Sequence, residues 1–296
     1  MTTPACIPLP ATGTPQQHRF RRLTGAMMFT LFLVLAGCAG GEPGVGSSGT
    51  GVGTSGTQSG SINGFGSVVV EGIRYDDSTA TVTAEIDPAF PVDTTSSSLQ
   101  LGMSTALSFE DDTRATRITI APNVIGPIET LGTDAAGNLT ARVAGQPVRF
   151  GASGARSPIF EGFDNASELA AGDWVAVHGT RDADGRVDAT RIERLGDADP
   201  RVLRVTGEVD AGDGSGFTIG SLRVAIGAAT RWLPAAPVAP LAAGQWVTIH
   251  VGAAATALAG TGGRVTADTV RIESLPDARR LRLAGRIRMP LAGTAR

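Results

Sequence analysis

The sequence predicts an all-β chain of tandem small OB-like β-barrel modules, set behind a signal peptide and a disordered Gly/Ser linker. Three observations lead there. Leu169-Ala170-Ala171-Gly172-Asp173-Trp174-Val175-Ala176-Val177-His178 returns downstream as Leu241-Ala242-Ala243-Gly244-Gln245-Trp246-Val247-Thr248-Ile249-His250, so the chain repeats itself. Apolar and polar residues alternate over short runs bounded by turn residues, with hardly any 3.6-residue periodicity. About five such runs fall in each repeat of roughly seventy residues, the size of a small closed or partly closed barrel.

Composition narrows the field. At 296 residues and 42% apolar content the chain can bury real cores. A net charge of −3 with 5% aromatics argues against a nucleic-acid partner, because phosphate neutralisation needs clustered cations and base stacking needs rings. Every cation is Arg, which reads as a coding bias acting on the whole chain. Cys6 and Cys38 both precede the body, so neither can staple a core or complete a thiolate metal site.

The amino-terminal elements come first in order. Arg19-Phe20-Arg21-Arg22, an apolar run from Ala26 to Leu35, and then Leu35-Ala36-Gly37-Cys38 give the basic, hydrophobic, small-residue order of an export signal. The run is about half the ~20 residues that a membrane span requires. Leu35-Ala36-Gly37-Cys38 resembles the lipobox of bacterial lipoproteins. That resemblance implies cleavage between Gly37 and Cys38 and acylation of Cys38; several acyl chains, at ~0.8 kcal/mol per buried methylene, would anchor the chain. Ala39, where an Asp would signal inner-membrane retention, favours the outer membrane. Arg21-Arg22 fits a twin-arginine signal poorly, and the length before His18 suggests a later start than Met1.

Residues 38–59 are expected to form a flexible leash of Gly, Ser, Thr and Val. Gly44-Val45-Gly46-Ser47-Ser48-Gly49 and Gly51-Val52-Gly53-Thr54-Ser55-Gly56 match a dinucleotide fingerprint only in letters, since no strand leads in and no helix leads out.

Three repeats follow, at 60–121, 122–198 and 199–277. Each begins with an opening strand, as in Val124-Ile125-Gly126-Pro127-Ile128 and Val202 to Val209. A Gly-bearing hairpin comes next, at Val69 to Tyr75, Val143 to Phe150 and Thr218 to Val224. After a looser connection, turns at Gly102, Gly172 and Gly244 launch a central strand. A last hairpin, with Asp184-Gly185 or Gly262-Gly263 suited to positive φ, returns through Ala115 to Ile118, Ala189 to Glu193 and Thr269 to Glu273. Units this small should pack together or share a strand. Residues 278–296 hold a terminal strand or truncated repeat, Leu281 to Arg288.

The Gly-x-Val/Ile opening, the Gly hairpin, the Leu-x-x-Gly-Asp-Trp-Val-x-Val-x-Gly strand and the Asp-Gly-Arg-Val-x-Ala-Thr-Arg-Ile-Glu return resemble the bacterial family called domain of unknown function 5666, which occurs in tandem behind lipoprotein signals. The resemblance covers most of Gly60 to Leu275 and is weaker in the first repeat, which lacks the Trp. It implies no activity and no catalytic residue.

The candidate residues are few. His178 and His250 each follow a Trp by four positions on one strand face, and the first repeat has Ser108 there. Ligand binding through them is weighed against a structural role, which is favoured. Trp174 and Trp246 are candidate sugar-stacking platforms, with barrel or inter-unit packing the favoured alternative. Asp182-Ala183-Asp184-Gly185 lacks the remaining ligands of a calcium loop, and Glu110-Asp111-Asp112 reads as a solvated turn. No nucleophile elbow, metal set or cofactor motif stands out. The sequence therefore leads us to expect a non-enzymatic, lipid-anchored envelope protein at the outer membrane, facing periplasm or cell surface. Its modules would bind an envelope protein or polysaccharide, or scaffold one. The alternatives are a pure spacer, or an enzyme with a site between modules that joins His178 to Asp173 or Asp188.

Overall fold

The computed structural model describes residues 55–151, 157–182, 184–197, 199, 201–252 and 264–273. Cys6, Gly37, Cys38, the Gly262-Gly263 turn and the terminal stretch 278–296 lie outside the described residues. The described chain is all-β, interrupted by two short 3-10 turns.

The first unit comprises β1 (Gly56–Gly64), β2 (Val68–Val70), β3 (Ile73–Tyr75), β4 (Thr81–Ala84), β5 (Val92–Thr94), β6 (Ser104–Glu110) and β7 (Arg114–Ile120). Its strands pair in a ring. β1, β2 and β3 are antiparallel neighbours; β4 and the bridge Asp76↔Arg114 step in parallel onto β7; β7 returns through β6 to β1. Alternate residues such as Val68, Val70, Leu107 and Phe109 fill a core with Ile62, Tyr75 and Ile118.

The second unit repeats the order with β8 (Val124–Thr133), β9 (Leu139–Val143), β10 (Gln146–Phe150), β11 (Ile159–Glu161), β12 (Trp174–Arg181) and β13 (Val187–Arg194). Here β10 is parallel to β13, and β12 pairs with both β13 and β8. The third unit uses β14 (Leu203–Glu208), β15 (Ala211–Asp213), β16 (Gly216–Ile219), β17 (Leu222–Leu233), β18 (Trp246–Val251) and β19 (Arg264–Ile272), with β17 parallel to β19 and β18 paired to both β19 and β14.

Two expectations are corrected. The first is the barrel architecture: the second and third units pack together, as units this small should, but they do so as parts of one sheet. β8 and β14 pair antiparallel at Val124↔Val205 and Ile125↔Arg204, giving one twelve-stranded sheet and one apolar cluster that runs from Val124 to Val270. This continuity is closer to a solenoid than to a string of isolated barrels, and it answers the small size of each unit. The second correction concerns the leash. Gly56 to Ser59, assigned to the linker by composition, belong to β1 and pair with Phe109 to Ala106. Composition misses this because β6 supplies the partners: a Cβ on Gly56 would stand 2.7 Å from the Phe109 ring, so glycine there admits the ring.

The join between the two units is self-complementary. Val124 and Val205 occupy equivalent places, since β12 meets β8 at Val177↔Val124 and β18 meets β14 at Ile249↔Val205. Each is the other's partner, which is the relation of an approximate twofold axis. The equivalent hairpins meet as well. Gln146 Nε2 donates to the Ile219 carbonyl at 2.7 Å, and the Ser221 N–H donates to the Gly145 carbonyl at 3.0 Å.

The turn glycines separate local strain from packing. Gly102 and Gly172 both sit at positive φ, +81° and +96°, but a Cβ on Gly102 would fall 2.6 Å from the Thr190 carbonyl oxygen while Gly172 faces open space. Gly172→Ala is expected to cost about 1 to 2 kcal/mol, from backbone conformation alone. Gly102→Ala is expected to cost more, because the first unit must also shift against the second. Urea unfolding of both variants measures the difference, and equal losses would contradict it.

Candidate functional site

Strand alternation builds the site. Val175 and Val177 of β12, and Val247 and Ile249 of β18, enter the shared core. The opposite face carries Trp174, Ala176 and His178 in one unit and Trp246, Thr248 and His250 in the other. The neighbouring strands add Arg191 and Glu193 of β13, and Arg271 and Glu273 of β19. In each unit the Arg Nε donates to the Glu Oε1 two residues on. The first unit covers both faces, with different segments.

Against the second unit it lays the turn before β6. The Ser104 N–H donates to His178 Nδ1 at 3.0 Å, and the Gly179 N–H donates to Ser104 Oγ at 2.8 Å. Thr190 Oγ1 donates to the Gly102 carbonyl at 2.6 Å. The buried Arg191 guanidinium reaches Gln100 Oε1 and the carboxylates of Glu161 and Glu193. Because a backbone N–H can only donate, His178 Nδ1 is unprotonated, and in the neutral ring Nε2 carries the hydrogen, 3.8 Å from Glu193 Oε1.

Against the third unit it lays the segment after β4. Glu85 Oε1 accepts from Arg204 Nη2 at 3.0 Å, and Oε2 accepts from Arg271 Nη1 at 2.6 Å. Arg204 also donates to the Pro122 carbonyl and to Thr206 Oγ1. Asp87 Oδ2 stands 3.2 Å from His250 Nδ1. That nitrogen makes no hydrogen bond, so the two groups are close without being bonded. The Arg231 guanidinium lies over the Phe90 ring at 5.2 Å.

The electrostatics follow from burial. Burial drives the His178 pKa down to about 4, with Glu193 opposing and Arg204 reinforcing. Burial lowers His250 too, against the pull of Asp87 and Asp268. Burial pushes Glu85 upward, yet the hydrogen bond and charge of Arg271, then those of Arg204, outweigh it and leave the carboxyl below its ordinary value. The junction therefore holds neutral imidazoles beside ionised carboxylate–guanidinium pairs at neutral pH.

Both histidines thus lie at the junction under the first unit. Trp174 is half-buried, packed against the core with the Arg201 guanidinium 5.5 Å from its ring, and Trp246 is half-buried opposite Glu208. Neither indole is an open platform. His178 has no acid where the enzyme alternative placed one: Asp188 takes both Arg149 nitrogens at 2.7 Å, and Asp173 Oδ2 accepts from the Ala170 N–H. Asp182 accepts from the Asp184 and Arg186 N–H groups, closing a hairpin tip where a partial calcium loop was weighed. Among the described residues no group of three His, Cys, Asp or Glu side chains is placed to hold a metal. Sequence reading missed Glu85, Asp87 and Arg204. Its one available signal was Arg204, the single cation in an opening strand that otherwise reads Leu203, Val205, Thr206, Gly207 and Glu208.

A family model described as Domain of unknown function (DUF5666) matches residues 126–193 and 206–259, in the second and third units. No curated protein and no solved structure matches the chain.

Two outcomes test the junction. Glu85→Ala leaves buried cations without their carboxylate and is expected to cost about 3 to 5 kcal/mol, part of which returns when Arg204→Met is added. Urea unfolding reads both, and a double variant weaker than the single would contradict the pairing. The second concerns acid. A histidine at its ordinary 6.5 in the unfolded chain and about 4 when folded binds its proton more readily unfolded. Its stabilising contribution is complete above 6.5 and falls as pH drops toward 4, by roughly 3 kcal/mol. The Glu85 contribution is present above its ordinary 4.5 and is lost as pH falls through its lower folded value. Stability measured from pH 7 to 4 should decline, and less steeply in His178→Gln.

Proposed function

We propose that this chain, a tandem-repeat protein of the DUF5666 family across its second and third units, is a lipid-anchored cell-envelope protein whose modules act as one binding or scaffolding body. One observation carries the reading: the first unit fastens to both partners through buried polar contacts at His178, Arg191, Arg204 and Arg271, so the modules are held in one arrangement. A scaffold needs fixed geometry more than it needs reactive groups. The polar residues that a catalyst would present to substrate are here turned against another part of the same chain, which favours binding over turnover.

Pairings that return to their starting strand in the first and second units, each with a parallel step onto its last strand, support reading those units as OB-like barrels. The shared sheet of the second and third units supports a stacked array of such barrels. The anchor rests on Leu35-Ala36-Gly37-Cys38 behind its apolar run, and Ala39 favours the outer membrane, with the body facing the periplasm or the cell surface.

Metabolic labelling tests the anchor. A clickable palmitate analogue is expected to mark the full chain and not Cys38→Ser, and the labelled form should partition with membranes. An unlabelled wild-type chain would overturn the anchoring.

A further inference from the structure

We propose that the second and third units each carry a groove for a carboxylate-bearing oligosaccharide, at equivalent positions. This rests on reading the body as an envelope binding array and names its ligand class. The groove of the second unit, about 380 Å³, runs from Thr130, Leu131 and Gly132 at the end of β8 across β9 and β10 to Asp184 and Arg186 beside β13. That of the third, about 260 Å³, is lined by Asp213 and Ser215, by Phe217 and Thr218 of β16, by Arg223 of β17 and by Arg264 at the start of β19.

The register shows that these are the same place. Val187 pairs with Val148, and Val148 with Ala141; in the third unit Val265 pairs with Val224, and Val224 with Phe217. Arg186 and Arg264 each stand one residue before that row. The next row of the hairpin is Arg142↔Pro147 in one unit and Thr218↔Arg223 in the other. Each groove therefore receives one arginine from the last hairpin and one from the β9–β10 or β16–β17 row, although the second arginine changes strand between units. The strand differs and the charge does not.

The chemistry of the lining selects the ligand. Two guanidinium forks per groove match carboxylates, against the single exposed carboxylate of Asp184 or Asp213. Asp213 Oδ1 is already engaged by the Ser215 N–H and hydroxyl and by the Gly216 N–H. Arg186 forms ion pairs with Asp182 at 3.5 Å and Asp184 at 3.7 Å, and Arg142 donates to Ser221 Oγ, so both forks are held in place at the groove. Thr130, Thr140, Ser215 and Thr218 add hydroxyls that exchange hydrogen bonds with sugar hydroxyls. Phe217 is 4% exposed and offers no ring for a nucleobase. The strands beneath, β9, β10, β16 and β17, have partners on both sides, so an acidic peptide would gain no strand-addition bonds there.

Titration calorimetry on the full chain in detergent tests this, with tetragalacturonate as probe and uncharged maltotetraose and polyglutamate as comparators. Wild type is expected to bind two tetragalacturonate molecules. Arg186→Gln or Arg264→Gln should leave one, and the double variant should bind at least tenfold more weakly, with an unfolding midpoint equal to wild type. Absence of binding, binding unchanged in the double variant, or equal affinity for polyglutamate would each overturn the proposal. A failure here leaves palmitate labelling of Cys38 unaffected, so it is distinguishable from a failure of the anchor.

Discussion

The assembly of the three units depends on where Glu85 puts its charge. Arg204 is almost fully buried, and taking a guanidinium from water costs several kcal/mol unless an anion and hydrogen-bond acceptors meet it. Among the described residues of the third unit none forms an ion pair with Arg204, although the Glu273 charge favours it; Glu85 arrives from the first, bridging Arg204 and Arg271 with its two oxygens. A buried pair of this kind adds little net stability over an apolar contact. What it does is discriminate. An approach of the first unit that left Glu85 or Arg204 unpaired would carry the whole desolvation cost, so the charges fix one docking out of many that apolar contact alone would permit. His178 works alike without charge: kept neutral by burial, it offers its one lone pair to the Ser104 N–H, and a shifted first unit would lose that acceptor.

The repeat and the docking obey different symmetries. The second and third units face one another about an approximate twofold axis, so their outer faces carry the same residue types in related positions: His178 with Arg191 and Glu193, His250 with Arg271 and Glu273. The first unit has no such axis. It meets one face with a backbone N–H and the turn at Gly102, and the other with the carboxylates of Glu85 and Asp87. Identical residues are consequently put to unlike uses. Arg191 binds Gln100 and Glu161, while Arg271 binds Glu85.

This division explains what could be read from the sequence. Hairpins were legible because their signals are local: Glu71-Gly72 and Ala144-Gly145 take positive φ angles at tight turns between alternating strands. The family resemblance was legible for the same reason, since Trp-x-x-x-His and Thr-Arg-Ile-Glu are contiguous strings. The junction was not. Glu85 lies 119 residues from Arg204 and 186 from Arg271, and no periodicity links an acidic residue after β4 to cations on strands so far along. The Trp-His face was identified as a face, but whether it met solvent, sugar or protein depended on the first unit, whose own copy of that strand carries Ser104 and Ser108 instead. Composition failed at Gly56 to Ser59 in the same way, because a strand made of small polar residues is stabilised by its neighbour and not by its own side chains.

The opening strands show why the second and third units cannot be separated cleanly. β8 meets β12 along Val124 to Pro127 but meets β9 only from Ile128 onward, after an irregularity, so the first half of the strand keeps one edge of backbone groups outside its own ring. β14 has the same half-open geometry, with β18 on one side and its hairpin partner reached only through β15. Each strand offers the other the edge it lacks, and an unpaired edge would otherwise solicit foreign strands. The first unit meets the same need by other means: β2 pairs with β1 from Ile62 onward, and at Ser61 the N–H donates to the Glu71 carboxylate at 2.8 Å while the carbonyl accepts from the Glu71 N–H. The first unit therefore needs no twin at that edge. Its outer surfaces remain available for the faces of the other two, and the array is a linked pair with a third unit docked across it.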